Sequence, residues 1–598
     1  MIKFFFDRFK KERKTESLSI GRQTELDRKL VLSLSKSRVP TFGQLKYLPK
    51  YLCRSEKCIL AGLIFALIAS TVFFAARFFL TKMEQVPASG GEYVEGLVGA
   101  PQYVNPILAQ TNDVDMDLSR LIFSGLFKYN EKLELVPDLA EKFEVSEDKK
   151  VYTIFLRENL SWHDDEKLTA SDVTFTASLV KDPLFKSPLY SGFRGVSVEK
   201  IDDKTIKFTL NEAYAPFLGM LTFGILPEHL WYDIPAQSAN LAEYNIKPVG
   251  SGPFEFKSLT KDKSGGIKVY TLVRNENFYG QKPYLEKLIF KFYPDYESVL
   301  GALQNKNIEG VSFLPEEMES NLQSKKLTKY FLSLPQYTAI FFDQKNNEFL
   351  KDDAVRKALA ISIPKNKIIE EALGGKGEAI DGPILTGYVG YSPEIKKNVF
   401  DQALAAETLE KAGFKLAEGE AVRKKGDKTL KIILTTVDRP EYARVGEIVK
   451  TSWEAIGVQV ELQAVPATRI QREIIRSRAY EALMLGTIVG FDSDPFPFWH
   501  SSQVEDPGLN LSLYANRNAD KLLEEARQTD NAEERAKKYL EFQNILARDI
   551  PAIFLYSPRY IYVLSTDVRG VDVLRINVPS DRFAGISNWY KKINRQWK

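Results

Sequence analysis

Hydrophobic residues in the first half of the chain alternate as they do in β-strands. The run 151–156 (VYTIFL) is apolar at nearly every position, which predicts a strand that is buried on both faces. The segment 197–210 predicts a hairpin that turns at 202–204, and a second hairpin is predicted across 263–266. Thr169 and Asp172 have the spacing of a capping box and predict the start of a helix.

The second half of the chain alternates helical and strand periods. Residues 445–455 have helical spacing, Gly457 is placed as the C-cap, and 458–465 (VQVELQAV) predicts a strand. Asp530 and Glu533 predict a second capping box. The helix that they open carries Tyr539, Phe542 and Leu546 on one face and stops at Pro551, before the strand AIFLY. A strand-rich half followed by helix–strand units predicts two lobes with a cleft.

The longest apolar run lies near the N-terminus. Residues 58–76 (CILAGLIFALIASTVFFAA) contain no charge, and Phe78, Phe79 and Leu80 continue the run after Arg77. About 20 apolar residues match the thickness of a bilayer core, which only a helix crosses in a single pass. A buried core helix would show a polar stripe, and a cleavable signal peptide has a shorter apolar region. We therefore expect an uncleaved transmembrane signal anchor at 58–80.

The distribution of charge gives this anchor an orientation. Residues 1–57 contain 15 Lys and Arg against 6 Asp and Glu, a net charge of +9, which leaves −6 for the rest of a chain whose total is +3. Basic flanks stay in the cytoplasm, so the main part should be extracytoplasmic. The tail 1–57 is either a solvated basic segment or an amphipathic helix on anionic lipid. Residues 81–92 are expected to form a flexible tether.

Length and composition exclude several classes of protein. A chain of 598 residues, 44% hydrophobic and 27% charged, is too long for one core and too apolar for disorder. A net charge of +3 argues against a nucleic-acid binder. Two cysteines and three histidines give no zinc framework and argue against a metal site, and no cofactor is expected.

Motifs for covalent chemistry are also absent from the sequence. It contains no phosphate-binding GxxxxGK[ST] loop, no HExxH and no GxSxG. His163, His229 and His500 are far apart along the chain, and no nucleophile has an identifiable base. We therefore do not expect an enzyme, although catalytic groups can converge from distant positions.

A series of motifs resembles the extracellular solute-binding protein family 5, the peptide- and nickel-type receptors of ABC importers. The resemblance covers about 95–590, and its pieces occur in the family's order: 121–176 with PDLAE, WHD and LTASDVTFT, then PVGSGPFEF at 248–256, RNENFYGQKPYLEKLIFKF at 274–292, DDAVRKALAISIPKNKII at 352–369, SDPFPFWHSSQ at 493–503 and NLSLYANRNADKLLEEA at 510–526.

The resemblance implies an α/β, two-lobed periplasmic-binding-protein-like fold with an enlarged first lobe. Lobe one would comprise 93–312, with an inserted subdomain at about 130–200, and the C-terminal return 557–598. Lobe two would comprise 313–556. Such an architecture closes around its ligand by a hinge motion.

The resemblance also implies a ligand site in the loop GFDSDP. In peptide-binding members an aspartate of this region pairs with the ligand's α-amino group, commonly four residues before the proline. Here that position is Phe491, and the acids are Asp492 and Asp494. Asp492 is therefore a candidate for contact with the ligand. Asp494 is a second candidate, with the capping of a turn before Pro495 as its alternative.

Further candidates for ligand binding are aromatic or lie in turns. Phe491 and Trp499 could line the pocket, with core packing as the alternative for Trp499. Tyr388 and Tyr391 belong to a Gly- and Pro-rich loop suited to recognition. Asn105, in QYVNPIL, is interpreted as structural with exposure at the cleft edge. His163 is interpreted as part of a turn.

These observations predict a membrane-anchored, monomeric receptor that captures short peptides in an interlobe cleft. Its partners would be the peptide, ABC permease subunits and the lipid bilayer, through residues 58–80, with no nucleic acid. The same fold could instead bind a nickel complex, heme or an oligosaccharide. An anchored extracellular hydrolase and a sensor that signals through the tail are further alternatives.

Overall fold

The computed structural model describes residues 52–597, apart from 320, 321, 323, 491 and 493, as a mixed α/β protein. The predicted amphipathic or solvated tail therefore lies almost entirely outside the described residues. The helices are α1 (Arg54–Lys82), α2 (Asp113–Ile122), α3 (Ala170–Val180), α4 (Glu228–Trp231), α5 (Tyr296–Gln304), α6 (Glu316–Glu319), α7 (Asp353–Ile361), α8 (Lys365–Ala372), α9 (Gln402–Lys411), α10 (Pro440–Glu454), α11 (Ala467–Ile470), α12 (Phe496–Trp499), α13 (Arg517–Gln528) and α14 (Ala532–Asp549).

The strands follow the same chain order. They are β1 (Met83–Ala88), β2 (Glu92–Val98), β3 (Phe127–Tyr129), β4 (Leu135–Pro137), β5 (Ala140–Val145), β6 (Val151–Leu156), β7 (Val196–Lys200), β8 (Thr205–Leu210), β9 (Phe254–Lys261), β10 (Ile267–Arg274), β11 (Lys287–Tyr293), β12 (Gly310–Val311), β13 (Leu327–Ser333), β14 (Gln336–Phe342), β15 (Gly377–Ala379), β16 (Lys424–Lys425), β17 (Lys428–Thr429), β18 (Lys431–Val437), β19 (Gln459–Val465), β20 (Ala482–Ile488), β21 (Ala552–Ser565) and β22 (Lys592–Trp597).

The described chain divides into two compact units, and the smaller one contains the apolar helix. Its described part comprises residues 52–86 and 593–597, while the larger unit spans Pro87–Lys592. By length and composition, α1 has one candidate membrane span, Arg54–Phe79, with a mean hydropathy of 2.5 and none of its apolar window buried. Beyond α1, the segment expected to be a flexible tether contains strand β1, which pairs with β22.

The larger unit contains two main hydrophobic cores that a single strand connects. One core draws its residues from 93–332 and 560–589, and the other from 337–556. They define lobe one and lobe two. Strand β21 contributes to both, because its first half pairs with β14 and β15 and its second half pairs with β12 and β13.

A long mixed sheet runs through both lobes in the order β19-β18-β20-β14-β21-β12-β2-β11-β10-β9. The chain passes from lobe one to lobe two between Ser333 and Gln336, and it returns to lobe one within β21. Strand β13, inside the stretch 313–556 expected for lobe two, pairs with the lobe-one half of β21. The lobe-one core therefore extends about as far as residue 332.

A smaller antiparallel sheet, in the order β5-β6-β8-β7, forms part of lobe one. The predicted hairpin at 202–204 joins β7 to β8, and the one at 263–266 joins β9 to β10. Strand β6 was expected to be buried on both faces, and this is wrong: Tyr152, Ile154 and Leu156 are buried, while the alternate residues are half-buried. One face of this sheet remains near solvent.

The helix–strand units that the sequence predicts occur in lobe two. Helix α10 precedes β19, which lies parallel to β18. The capping box expected at Asp530 and Glu533 is displaced by one residue. Asn531 is the N-cap of α14, and its side chain accepts from the backbone N–H groups of Glu533 and Glu534.

A buried arginine holds the C-terminal return against lobe one. Arg582 is 1% exposed and lies between two buried carboxylates. Its guanidinium donates to Glu95 at 2.7 and 3.0 Å and to both oxygens of Asp117 at 2.6 Å. Tyr93 donates to the other Glu95 oxygen at 2.7 Å. These bonds join β2, α2 and the C-terminal segment. Each buried charge is stabilised by its partners, so removing one of them would leave the others buried without compensation.

His163 joins two turns of lobe one in its neutral form. Its Nδ1 accepts from the N–H of Gly250 at 3.2 Å, and its Nε2 donates to the carbonyl of Gly252 at 3.1 Å. Burial lowers the pKa of His163 to about 4, although the Gly252 bond opposes this shift. The imidazole therefore has the structural role in a turn that the sequence analysis assigns to it.

Replacing Arg582 by methionine should strongly destabilise the protein. The substitution keeps most of the side-chain volume but leaves Glu95 and Asp117 without their cation, which typically costs about 3–5 kcal/mol. Chemical unfolding of the full chain in detergent measures the change. Arg569, exposed in the same return segment, provides the control Arg569→Met, which should change stability by no more than about 0.5 kcal/mol. Equal effects of the two substitutions would contradict this role of Arg582.

His163 should make the protein less stable as the pH falls. A pKa lowered from 6.5 to about 4 gives stability that is present above pH 6.5 and is lost as the pH falls toward 4. By pH 4 the loss amounts to about 3 kcal/mol. Unfolding midpoints across this range should fall less steeply for His163→Asn than for the native chain. Parallel profiles for the two proteins would show that His163 does not cause the loss.

Candidate binding site

A cavity of about 590 Å³ opens between the end of α2, strand β3 and the C-terminal return. Most of its wall belongs to lobe one, and Gly490 contributes from lobe two. The lining side chains include Met116, Phe123, Tyr129 and Met220, with polar groups between them. This volume lies within the range of pockets for small ligands, which are mostly apolar with a few polar anchors.

Four charged groups of the lobe-one wall form two ion pairs. Arg120 lies 3.2 Å from the carboxylate of Asp581, and Lys128 lies 2.8 Å from that of Asp138. Asp138 also accepts a hydrogen bond from Tyr279 at 2.7 Å. The fifth charged residue of the wall, Glu131, accepts a hydrogen bond from the neutral amide of Asn588 at 3.1 Å.

The loop that follows Gly490 brings Asp492 next to Arg535 of α14. The guanidinium donates to both carboxylate oxygens, at 2.9 and 2.6 Å, and also to the hydroxyl of Tyr539 at 2.9 Å. Burial raises the pKa of Asp492, while Arg535 opposes this shift. The side chain of Asp492 keeps 19% of its surface exposed, so the ion pair is not fully buried.

Asp494 has a different set of partners. One oxygen accepts from the N–H of Phe496 at 3.1 Å, at the start of α12, and the other accepts from Arg527 of α13 at 2.7–2.8 Å. Its side chain is 8% exposed. Asp494 therefore has both oxygens engaged in holding this loop against α12 and α13, in agreement with the turn-capping alternative.

Two tyrosines of lobe one face these acids across the cleft. Burial raises the pKa of Tyr129, and the charge of Asp492 raises it further. Burial likewise raises the pKa of Tyr214, with a contribution from Asp494. The guanidinium of Arg527 lies 5.5 Å from the ring centroid of Tyr214. Aromatic rings of one lobe therefore approach the ion pairs of the other.

The two lobes also contact each other through ion pairs. Lys149 of lobe one lies 2.7 Å from Asp530 of lobe two, and both side chains are exposed. Near the strands that connect the lobes, Glu319 lies 3.2 Å from Lys376. The structure therefore has the lobes in contact on both sides of the cleft.

The structure places the predicted aromatic site residues in different environments. Phe491 lies outside the residues that the structure describes. Trp499 is fully buried and packs against Phe341 and Phe554, with ring centroids 6.2 and 5.6 Å away. This is the core position that the sequence analysis gave as the alternative, and Trp499 is not part of the cavity wall.

The remaining predicted residues lie closer to the return segment. Tyr388 donates to Oδ1 of Asn577 at 3.1 Å, and the latter residue lines the cavity. Tyr391 is 42% exposed. Asn105 is fully buried, donates to Asn245 at 3.3 Å and accepts from Ile107 N–H, so its expected exposure at the cleft edge is wrong. Its structural role agrees with the sequence interpretation.

Several residues of the site carry no motif in the sequence. Asn577 is one of the lining residues and is 4% exposed, and its buried Nδ2 has no hydrogen-bond partner among the described residues. In the sequence, Arg527 and Arg535 look like ordinary charged residues on the surface of a helix. Only the folded chain shows that they pair with acids that precede them by 33 and 43 positions.

The described part of the chain shows no cluster of three or more His, Cys, Asp or Glu that could hold a metal ion. His500 stacks on Phe496 and bonds to Ser502 at 2.8 Å and Glu524 at 3.2 Å. Its ring nitrogens are therefore occupied within lobe two. This arrangement gives His500 a structural role in lobe two.

Known proteins with similar sequences are binding proteins. The sequence profile of the bacterial extracellular solute-binding proteins, family 5 Middle, matches residues 134–508. The oligopeptide-binding protein AppA of Bacillus subtilis is 29% identical over 81% of this chain and 89% of its own length. The dipeptide-binding protein of Escherichia coli is 25% identical over 79% of this chain and 90% of its own length.

Solved structures give the same result for the fold. NikZ from Campylobacter jejuni, in complex with Ni(L-His), has a TM-score of 0.69 at 28% identity and covers 84% of this chain and 99% of its own. AppA from Bacillus subtilis, in complex with a nonapeptide, has a TM-score of 0.67 at 27% identity, with the same coverage. The match extends over lobe one, lobe two and the cleft between them, and the chain belongs to the bacterial extracellular solute-binding proteins, family 5.

Proposed function

We propose that this protein is the membrane-anchored, extracytoplasmic receptor of an ABC importer and that it captures short peptides in the cleft. The observation that carries the proposal is the cavity of about 590 Å³ at the junction of the lobes, beside the Asp492–Arg535 pair. The relatives named for peptide binding supply the ligand class. Helix α1 supplies the anchor, with residues 58–80 in the bilayer and the N-terminus in the cytoplasm.

Asp492 is the proposed contact for the α-amino group of a peptide. Each of its oxygens accepts one bond from Arg535, and a carboxylate oxygen has a further lone pair for a ligand N–H. The Arg535 bond also orients the carboxylate before ligand arrives, which reduces the cost of binding. Asp494 lacks this capacity because its two oxygens serve Phe496 and Arg527.

Neutral donors complete the proposed site at the opposite side of the cavity. The free Nδ2 of Asn577 can donate to a peptide carbonyl or carboxylate, since a buried donor gains most from a partner. Tyr388 holds the amide of Asn577 through its Oδ1. Tyr391, Tyr129 and Tyr214 are proposed to contact ligand side chains, which apolar ring faces accept with little selectivity.

Family members are binding proteins, and the same role without covalent chemistry is proposed here. The receptor is proposed to act as a monomer and to deliver its ligand to permease subunits. A nickel chelate remains the second ligand class, because NikZ, bound to Ni(L-His), shares the fold at 28% identity.

Short peptides should raise the melting temperature of the full chain in detergent. Binding only to the folded state stabilises it by about 2.7 kcal/mol at a ligand concentration of about 100 Kd. Pools of dipeptides to pentapeptides should therefore shift the melting curve, while the N-acetylated pools should shift it less. Ni²⁺ with histidine, heme and oligosaccharides are tested in parallel. A shift with one of these and none with peptides would refute the proposed ligand class.

Replacing Asp492 by asparagine should weaken peptide binding roughly tenfold or more, because a charge-assisted hydrogen bond to the ligand ammonium is lost. Calorimetric titration with a peptide from the active pool measures the change. Asp567→Asn provides a matched control at an exposed aspartate after β21, and it should keep the native affinity. The two variants are also compared with an N-acetylated peptide, for which Asp492→Asn should matter little. Undiminished affinity of Asp492→Asn for the free peptide would remove Asp492 from the site.

A further inference from the structure

The end of the chain folds back onto the outer end of the apolar helix. Strand β22 pairs with β1, which follows directly after α1. The ring of Trp597 lies 5.3 Å from that of Phe79 and 6.4 Å from that of Phe78, measured between centroids. The last residues and the end of the helix therefore form one aromatic cluster, consisting of Phe78, Phe79 and Trp597.

All three side chains of this cluster are exposed, and Trp597 differs in this from the other tryptophans. Trp597 is 58% exposed, and Phe78 and Phe79 are 54% and 48% exposed. The other five tryptophans, at positions 162, 231, 453, 499 and 589, are at most 3% exposed. Because side chains alternate along a strand, Ile593 and Arg595 lie on the same face of β22 as Trp597.

Basic residues surround the cluster. Arg77 and Lys82 lie on the last turns of α1, and Arg595 lies on β22, against one acid in this part of the unit, Glu84. A tryptophan beside long basic side chains suits the headgroup region of a bilayer, where the ring is half apolar and the cations meet anionic phosphates. The apolar surface of α1 continues directly into the cluster, so the same lipid surface can cover both.

We propose that β22 is a second membrane attachment, with Trp597 inserted among the lipid headgroups beside the outer end of α1. This inference rests on the proposed membrane anchoring. The main body, residues 87–592, is then connected at both of its ends to segments held at the bilayer.

The fluorescence of Trp597 tests the proposal in the full chain. The protein is reconstituted into vesicles that contain phosphatidylglycerol and lipids brominated either near the headgroup or near the end of the acyl chain. Bromine quenches only nearby tryptophans, and the five buried ones lie inside folded protein. We expect quenching that is stronger with the shallow bromines and that is lost in Trp597→Phe, which retains an aromatic ring. Trp589→Phe, at a buried position, should keep the native quenching.

A charge variant and a water-soluble quencher complete the test. Arg595→Gln should reduce shallow quenching in vesicles with phosphatidylglycerol but not in vesicles of phosphatidylcholine alone. Equal quenching of the native chain and Trp597→Phe would overturn the proposal. So would protection of Trp597 from acrylamide without quenching by bromine, which would indicate contact with a second copy of the chain.

Flotation and melting separate this inference from the proposed function. A chain that fails to float with the vesicles overturns the attachment whatever its ligand. Floating protein with Trp597-dependent quenching supports the attachment, even if no peptide raises the melting temperature. The native and Trp597→Phe proteins should show the same shift with peptide, because the cleft residues are unchanged.

Discussion

Strand β21 belongs to both hydrophobic cores, and the position of the cleft depends on this shared strand. Eleven of its fourteen residues are buried, and only Pro558, Arg559 and Ser565 are half-buried. Each half of the strand pairs with a different set of neighbours. Neither core can form completely without it, so the two lobes are expected to fold as coupled units.

The middle of β21 is polar where the lobes meet. Pro558 lacks an N–H group and so cannot donate to a neighbouring strand. Arg559 donates to the Ser333 hydroxyl of lobe one and lies 3.3 Å from Glu378 of lobe two. Polar contacts at this point lose less free energy than apolar contacts of the core when water replaces them. The polar middle of β21 therefore separates the two apolar cores.

The parts of the fold that depend on local pattern could be predicted from the sequence. The hairpins at 202–204 and 263–266 follow from turn residues between alternating runs, and the helix start at Thr169 follows from its capping box. The shift from Asp530 to Asn531 as N-cap shows the limit of such reasoning, since both residue types cap helices well.

The candidate site could be predicted only in outline. The acids of the 490–495 loop were identified by resemblance, but the pairing of Asp492 with Arg535 joins residues 43 positions apart. Nothing local distinguishes this arginine from any other on a helix. The unpaired Nδ2 of Asn577 is a property of packing, so it has no sequence signal at all. Tertiary contacts of this kind determine the chemistry of the cleft.

Among the buried titratable groups of lobe one, Asp117 and His163 affect stability with opposite signs. Arg582 faces two carboxylates with one positive charge, and burial raises the pKa of Asp117 to about 7 despite the guanidinium. A raised carboxyl pKa gives stability that is present below its unfolded value of 3.8 and is lost as the pH rises through about 7. His163 has the opposite dependence, because its neutral form is the one that the fold binds. Because the two effects oppose each other, these two groups together limit the change in stability of lobe one between mildly acidic and neutral pH.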